Sequence, residues 1–415
     1  YKLFCERMFC WLRAALLLAV AVLGSDFVHE FVPERMLFGS CNKQHAAQPL
    51  WAPMKSANAS AFFWTGDAVY PNRSDVAALG VALDLQSARP EYREFLKGLR
   101  VVDGTWDDHD LGVNDAGREA RDLTERLALY VDFLVRSGTQ QKRKALAVQR
   151  GGAYCSHRFG STVKVILLDT RSFRDAHLVP SVGAMFRGVP VVGRAMPLLA
   201  AAIRFGTRDL ADLISYQGDV LGEAQWLWLQ EELESDATAF TVVVSSIQVA
   251  TSNPSFESWA HFPAAKRRLH RLLSANSPET TVLLSGDVHH AETARFGQVP
   301  EVTSSGLTHT LQTSKLTRLL FPPLLAFFSA HRTFASSYDT SVNYGQIDLD
   351  DRRMLVTVRG RDGQPLLPGV SVVASSSCSS SSRRGAGASS AAKDRQDQEE
   401  CSDAENEDAS ASASS

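Results

Sequence analysis

Two apolar runs that each close on glycine and aspartate limit what this chain can fold into more than any other feature. In "TVLLSGDVHH" (residues 281–290) an unbroken apolar stretch enters a small turn, then sets Asp287, His289 and His290 within four positions. Apolar residues without alternation suit a central strand covered on both faces. The carboxyl ends of such strands face the crevice where open α/β sheets bind ligands. "SAFFWTGDAVY" (60–70) repeats the shape with Gly66 and Asp67, the glycine admitting backbone geometry that a side chain would forbid. A capped loop with a satisfied histidine explains one such strand equally well; recurrence weighs against it.

Between them, "VVDGTWDDHD" (101–110) crowds Asp107, Asp108, His109 and Asp110 into four positions. Carboxylates this close repel one another unless a cation or a buried arginine compensates them. A surface acidic loop is the alternative, opposed by Trp106 and its apolar neighbours. Oxygen and imidazole donors at three separate strand ends are the material of a two-metal hydrolase, in which cations about 3.5–4 Å apart clamp the attacking and leaving oxygens and one carboxylate bridges them. Imidazole suits iron, zinc and manganese, and an oxygen-rich position suits calcium, magnesium or manganese, so a mixed pair is expected.

The ordered set "FGSCNKQ" (38–44), "FFWTGDAVY", "GTWDDHDLGVNDAG" (104–117), "VKVILLDTRSFRD" (163–175), "GEAQWLWLQEEL" (222–233), "ESWAHFP" (257–263) and "LLSGDVHHAE" (283–292) resembles the PhoD-like phosphatases, the D-type alkaline phosphatases of the metallophosphoesterase group. The similarity runs from about residue 38 to about residue 348. It implies an α/β fold, a two-sheet β-sandwich flanked by helices with its metal site at the strand ends. It implies Asp67 as the bridging carboxylate, Cys41 as a thiolate for iron, and Asp107, Asp287 and His289 as further ligands. His109 is placed beside the leaving group, Asp108 is a further catalytic candidate, Arg171 supports a carboxylate or binds phosphate in catalysis, and Asn114 and Asp115 shape the site. Some bacterial members add a tyrosine ligand to the iron, and Tyr92 is the candidate for it. Two metal ions are implied, iron with calcium, or else zinc, manganese or magnesium. The chain departs from the family at Ala68 and Leu111, where an amide and a phenol are common, and both are expected to be missing near the metals.

The rest of the chain frames this core. A formal net charge of −3 argues against a dedicated nucleic-acid binder. Residues 1–25 read as a secretory leader, with "AALLLAVAVLG" (14–24) as its apolar stretch; an uncleaved anchor and a buried first helix are the alternatives. The leader places the chain in the secretory pathway, secreted or membrane-associated, where Asn58 and Asn72 head glycosylation sequons. The catalytic domain is expected over 33–370, with strands at 35–38, 61–65, 163–168, 240–245 and 282–284, and a hairpin over 343–367 completing the second sheet. Of six cysteines only Cys41 and Cys155 lie in this body, and both are read as free, Cys155 as a small buried hydrophobe. Two apolar, basic insertions around 177–210 and 315–332 are candidates for contact with a membrane surface or for packed helical excursions. Residues 374–415 are a serine-rich and acidic tail without enough apolar surface to fold.

The expected activity is metal-dependent hydrolysis of phosphate esters by an activated hydroxide, with the ester as the partner and no obligate protein partner. The rival is a metal-binding interaction module that has lost hydrolysis, which Ala68 and Leu111 would favour. A serine hydrolase lacks its Gly-x-Ser-x-Gly elbow.

Overall fold

The structure is a computed structural model that describes residues 24–178, 196–235, 238–251, 253–312, 318–319, 323, 325–334 and 336–374. The leader up to residue 23 and the tail from 375 lie outside the described residues, as do 179–195 of the first insertion and parts of the second. Numbered along the chain, the strands are β1 (Phe27–His29), β2 (Arg35–Gly39), β3 (Ala61–Thr65), β4 (Val101–Thr105), β5 (Cys155–Phe159), β6 (Val163–Leu167), β7 (Phe240–Val244), β8 (Thr281–Ser285), β9 (Ala291–Phe296), β10 (Val299–Ser304), β11 (Tyr338–Asp339), β12 (Tyr344–Leu349), β13 (Arg353–Arg359) and β14 (Val370–Val373). The α-helices are α1 (Trp51–Ser56), α2 (Val76–Ala88), α3 (Pro90–Leu96), α4 (Leu123–Ser137), α5 (Lys142–Arg150), α6 (Met196–Leu213), α7 (Gly222–Glu234) and α8 (Pro263–Ala275). No helix among the described residues is long and apolar enough to cross a membrane.

The strands form two sheets, of eight in the order β1, β5, β6, β7, β8, β10, β9, β11 and of six in the order β14, β13, β12, β2, β3, β4. β2, β3 and β4 run parallel, as do β6, β7, β8 and β10, so their carboxyl ends gather at one end of the sandwich. The expected hairpin is the antiparallel run of β12 and β13, continued by β14 and paired through β12 with β2. β1 lies ahead of the expected domain start at residue 33 and pairs with β5.

Unbroken apolar strands are explained by cover on both faces. Met36, Phe38 and Phe63 turn inward against Val165, Leu167, Val242, Val244 and Leu284 of the other sheet. Leu37, Phe62 and Trp64 face the layer of α1 to α4, while Ile166, Val243 and Leu283 pack under α7 and α8. Strand alternation alone directs neighbouring apolar side chains into different layers.

One polar group interrupts the inter-sheet core. Asp103 of β4 is fully buried, and its carboxylate meets Arg143 Nε at 3.2 Å and His157 Nε2 at 3.0 Å. Burial opposes its ionisation, but the charge of Arg143 and the bond from His157 outweigh that and hold its pKa below the usual range. Replacing Arg143 with methionine leaves a buried anion without its counter-charge. The expected cost is about 3–5 kcal/mol, read as a lower urea midpoint; an unchanged midpoint would refute the pairing.

Candidate metal centre

Every candidate donor except Tyr92 stands just past a strand end. Cys41 follows β2, Asp67 follows β3, Asp107 to His109 follow β4, and Asp287 and His289 follow β8. The backbone turns sharply there: Cys41, Asp67, Asp115, Asp287 and His289 have φ of 61°, 53°, 57°, 71° and 58°, in the left-handed region that non-glycine residues rarely adopt. The turns need close approach as well. A Cβ on Gly286 would sit 2.5 Å from Ser40 Oγ and 2.6 Å from the Thr65 carbonyl oxygen, and one on Gly66, at φ 97°, would meet Asp107 Cβ at 2.7 Å. Glycine before each aspartate is therefore what brings the sheet ends together.

Several overlapping donor groups result, and a thiol-containing one and an all-carboxylate one among them share Asp67. Cys41, Asp67 and His289 each offer an atom within 4.8 Å of the others, as do Asp67, Asp107, Asp108 and Asp287. Asp67 Oδ1 accepts the His109 amide at 3.2 Å, and Oδ2 accepts the Tyr70 hydroxyl at 2.5 Å. Asp107 Oδ1 takes Arg171 Nε at 2.5 Å and Ser246 Oγ at 2.6 Å, and Asp108 Oδ2 takes the Asp115 amide at 2.6 Å. The remaining oxygens, Asp107 Oδ2 and Asp108 Oδ1, are buried without a hydrogen-bond partner among the described residues.

Such an arrangement calls for cations. Burial, then the charges of neighbouring aspartates, push Asp67 and Asp287 well above the usual carboxylate range; burial raises Asp107 to about 6 against the opposing pull of Arg171. Burial and the charge of Asp67 also raise the Cys41 thiol. Burial lowers His289 to about 3, which leaves a neutral imidazole able to ligate. Unpartnered buried carboxylate oxygens, a buried thiol and a neutral histidine fit a bound metal pair. A separate buried trio, Asp103, Cys155 and His157, already has Arg143 as its counter-charge.

Several expectations need correction. Tyr92 stands away from these donors, on α3 in the apolar core, where its hydroxyl meets Ser137 Oγ at 3.0 Å and Trp64 Nε1 at 3.3 Å. The tyrosine at the centre is Tyr70, whose hydroxyl also lies 3.2 Å from His289 Nε2. Of the two roles expected of Arg171, the fully buried side chain fills the first, supporting a carboxylate: it positions Asp107 and binds both oxygens of Glu257 at 2.9 and 3.0 Å. Asp108, expected to be catalytic, joins the carboxylate donor group and also offers an oxygen within 4.8 Å of atoms of Asp67 and His109. Ala68 and Leu111 are both buried in the apolar core under the helical layer, because the turns after Asp67 and Asp110 direct them away from the donors. His309 was not foreseen: its ring lies 4.4 Å from that of His289 and 4.9 Å from that of Tyr70, and its buried Nε2 has no partner among the described residues.

Two packed sheets flanked by helices, with an acidic cluster at the strand ends, define a metallophosphoesterase-like protein. The PhoD-like phosphatase family matches residues 104–313, half of the chain, and the chain belongs to this family. It is a phosphoric ester hydrolase by that membership, which also implies divalent metal ions. The match includes Asp107, Asp108, His109, Arg171, Asp287 and His289, whereas Cys41 and Asp67 join them through the fold. Among solved structures, PhoD is similar in fold at 15% identity, over 83% of this chain and 70% of its own, with a TM-score of 0.59. A purple acid phosphatase from yellow lupin seeds reaches 0.47 at 10% identity, over 84% and 55%. GAP50, described as the anchor in the inner membrane complex of Plasmodium, reaches 0.41 at 9%, over 82% and 89%. Comparison with curated proteins gave no match.

Proposed function

We propose that the chain hydrolyses phosphate mono- or diesters at a metal pair, with the thiolate end taking iron and the carboxylate end taking calcium or a similar hard cation. The carrying observation is that Asp67 belongs to both donor groups. A mixed donor set beside an all-oxygen set supports two unlike metals. When bound, such a pair supplies Lewis acidity, easing deprotonation of water and neutralising charge on the phosphoryl oxygens.

The residues of this chain do the positioning. Tyr70 and the His109 amide fix the two oxygens of Asp67, while Arg171, Ser246 and the Asp115 amide each hold one oxygen of a neighbouring aspartate and leave the other facing the cluster. Lys43, half-buried with its ammonium 5.5 Å from the Tyr70 ring centre, draws an anionic ester toward the mouth. His109, part-exposed with its ring tilted against that of Tyr70 at 4.1 Å, delivers a proton to the departing alkoxide.

His109→Gln is expected to slow an alkyl phosphate about 10²–10³-fold while a nitrophenyl ester, whose leaving group departs without a proton, changes little. Equal losses on both would remove His109 from that role. The reading as a whole is checked by elemental mass spectrometry together with assays of a chromogenic monoester and diester: bound metal with turnover that a chelator abolishes supports it. The features that fed the interaction-module rival, Ala68 and Leu111, lie in the core.

A further inference from the structure

Each end of the metal centre rests on a buried residue that is not itself a ligand. Glu257 lies in the connection between β7 and α8 and is buried. Its two oxygens accept Arg171 Nη1 at 2.9 and 3.0 Å, one of them lies 3.0 Å from His177 Nε2, and Arg174 Nη2 stands 3.4 Å away. Both arginines carry the contact forward. Arg171 donates from Nε to Asp107 Oδ1, while Arg174 donates from Nη2 to the Asp115 carbonyl at 2.6 Å, and the Asp115 amide holds Asp108. One glutamate thereby sets two neighbouring aspartates of the carboxylate end. Glu257 also falls in a group of buried carboxylates with Asp108 and Asp115, but the guanidinium groups of Arg171, Arg174 and Arg204 already pair with that group. Its charge serves to place arginines rather than to hold a cation.

The thiolate end has its own support. Ser305, fully buried just past β10, accepts the His289 amide at 2.8 Å, and the same Oγ lies 3.0 Å from Cys41 Sγ. A thiolate can only accept, so the hydroxyl proton points at the sulfur when Cys41 serves as a ligand. A parallel bridge between Ser305 and Ser40 keeps the hydroxyl beside the Cys41 turn. The two supports do not overlap. Among the described residues, the hydrogen bonds and ion pairs of Glu257 lead to Asp107 and Asp108, whereas the side-chain bonds of Ser305 reach Cys41 and His289.

We propose that the two metal positions are set independently, the carboxylate end by Glu257 acting through Arg171 and Arg174, and the thiolate end by Ser305. Both are positioning residues, since they act on ligands and on the groups that hold ligands. The inference rests on the reading of two unlike metals given above. Partners outside the ligand set orient the ligands and change metal affinity about 10–100-fold. A hydrogen bond to a ligating sulfur also tunes the electronic state of the metal it binds, so Ser305 bears on the spectrum of bound iron as well as on its retention.

The test uses the full chain loaded with iron and calcium. It is dialysed against graded free calcium and, separately, against an iron chelator, and both metals are counted by elemental mass spectrometry. Glu257→Gln is expected to need about 10–100-fold more free calcium for half occupancy while its iron content matches the parent. Ser305→Ala is expected to bind calcium as the parent does, to yield iron at about tenfold less chelator and to shift the thiolate-to-iron absorption band. A general loosening of the fold would release both metals, because Asp67 belongs to both ends, so retention of one metal shows that the variant is folded. Glu257→Gln leaves Arg171 and Arg174 short of a counter-charge. Combining it with Arg174→Met restores the balance and carries the same expected calcium loss, and this balanced variant decides if the single one loses both metals. Unchanged calcium affinity in either Glu257 variant, or release of both metals by the balanced variant or by Ser305→Ala, would overturn the proposal. A parent that does not hold iron and calcium together would overturn the reading of two unlike metals, and the proposal with it.

Discussion

Asp67→Ala protein is expected to lose metal from both donor groups at once and to fall at least about 10⁴-fold in kcat/KM, the equivalent of roughly 5 kcal/mol of transition-state stabilisation. The size of the effect follows from sharing. A ligand that served one cation would, when lost, leave the other in place, whereas Asp67 stands in both groups. The loss must not come from unfolding, and the fold offers its own control. Asp67 is a buried carboxylate held among Asp107, Asp108, Asp110 and Asp287, so removing it relieves repulsion, and the metal-free variant should melt no lower than the metal-free parent. Elemental mass spectrometry and a thermal melt on the same sample decide the matter. Full metal content with full turnover would exclude the bridging role.

Stripping the metals should make stability depend on pH in an unusual direction. Without cations, burial and neighbouring charges raise Asp67 and Asp287 well above the usual range, while burial carries Asp107 to about 6 and Asp110 to about 8. A carboxyl whose folded pKa is raised binds more protons when folded than when unfolded. Its contribution is complete below pH of about 4 and is lost as pH climbs through the folded values. The metal-free protein is therefore expected to melt progressively lower between pH of about 4 and about 8, by on the order of 10 °C. Added divalent metal supplies the missing counter-charge and should flatten that slope. Melting temperatures that stay level or rise over this interval without metal would show that the carboxylates are compensated in some other way.

What could be read from the sequence followed the physics of each segment. β3 and β8 were legible because apolar side chains occupy both of their faces and a glycine ends each run. β4 and β5 were not: "VVDGT" and "CSHRF" carry Asp103, Gly104, Ser156, His157 and Arg158, and Asp103 and His157 are tolerated inside because each serves as a partner for the other, with Arg143 completing the set. The aspartates of the centre could be named because their crowding is costly wherever they lie. Tyr92 stood out by its place between Asp67 and the loop at 104–110, whereas Tyr70 comes to the centre only because the left-handed turn at Asp67 brings it back over its own aspartate. The same turn logic decides Ala68 and Leu111, whose direction depends on a backbone angle that composition does not carry. His309 had no flag at all, because a lone histidine after β10 becomes meaningful only when His289 and Tyr70 are beside it.

Cys41 and His289 stand about 250 residues apart along the chain, yet they contribute to one cluster, so the loop that must close before they meet spans most of the folded body. A growing polypeptide cannot assemble that cluster while β8 is still inside the ribosome. Earlier segments supply Cys41, Asp67, Asp107 and Asp108, and these would repel or capture stray cations until the last strands dock. Metal loading is thus a late event that reports the arrival of β8, and a product lacking that strand would be distinguishable by its empty centre.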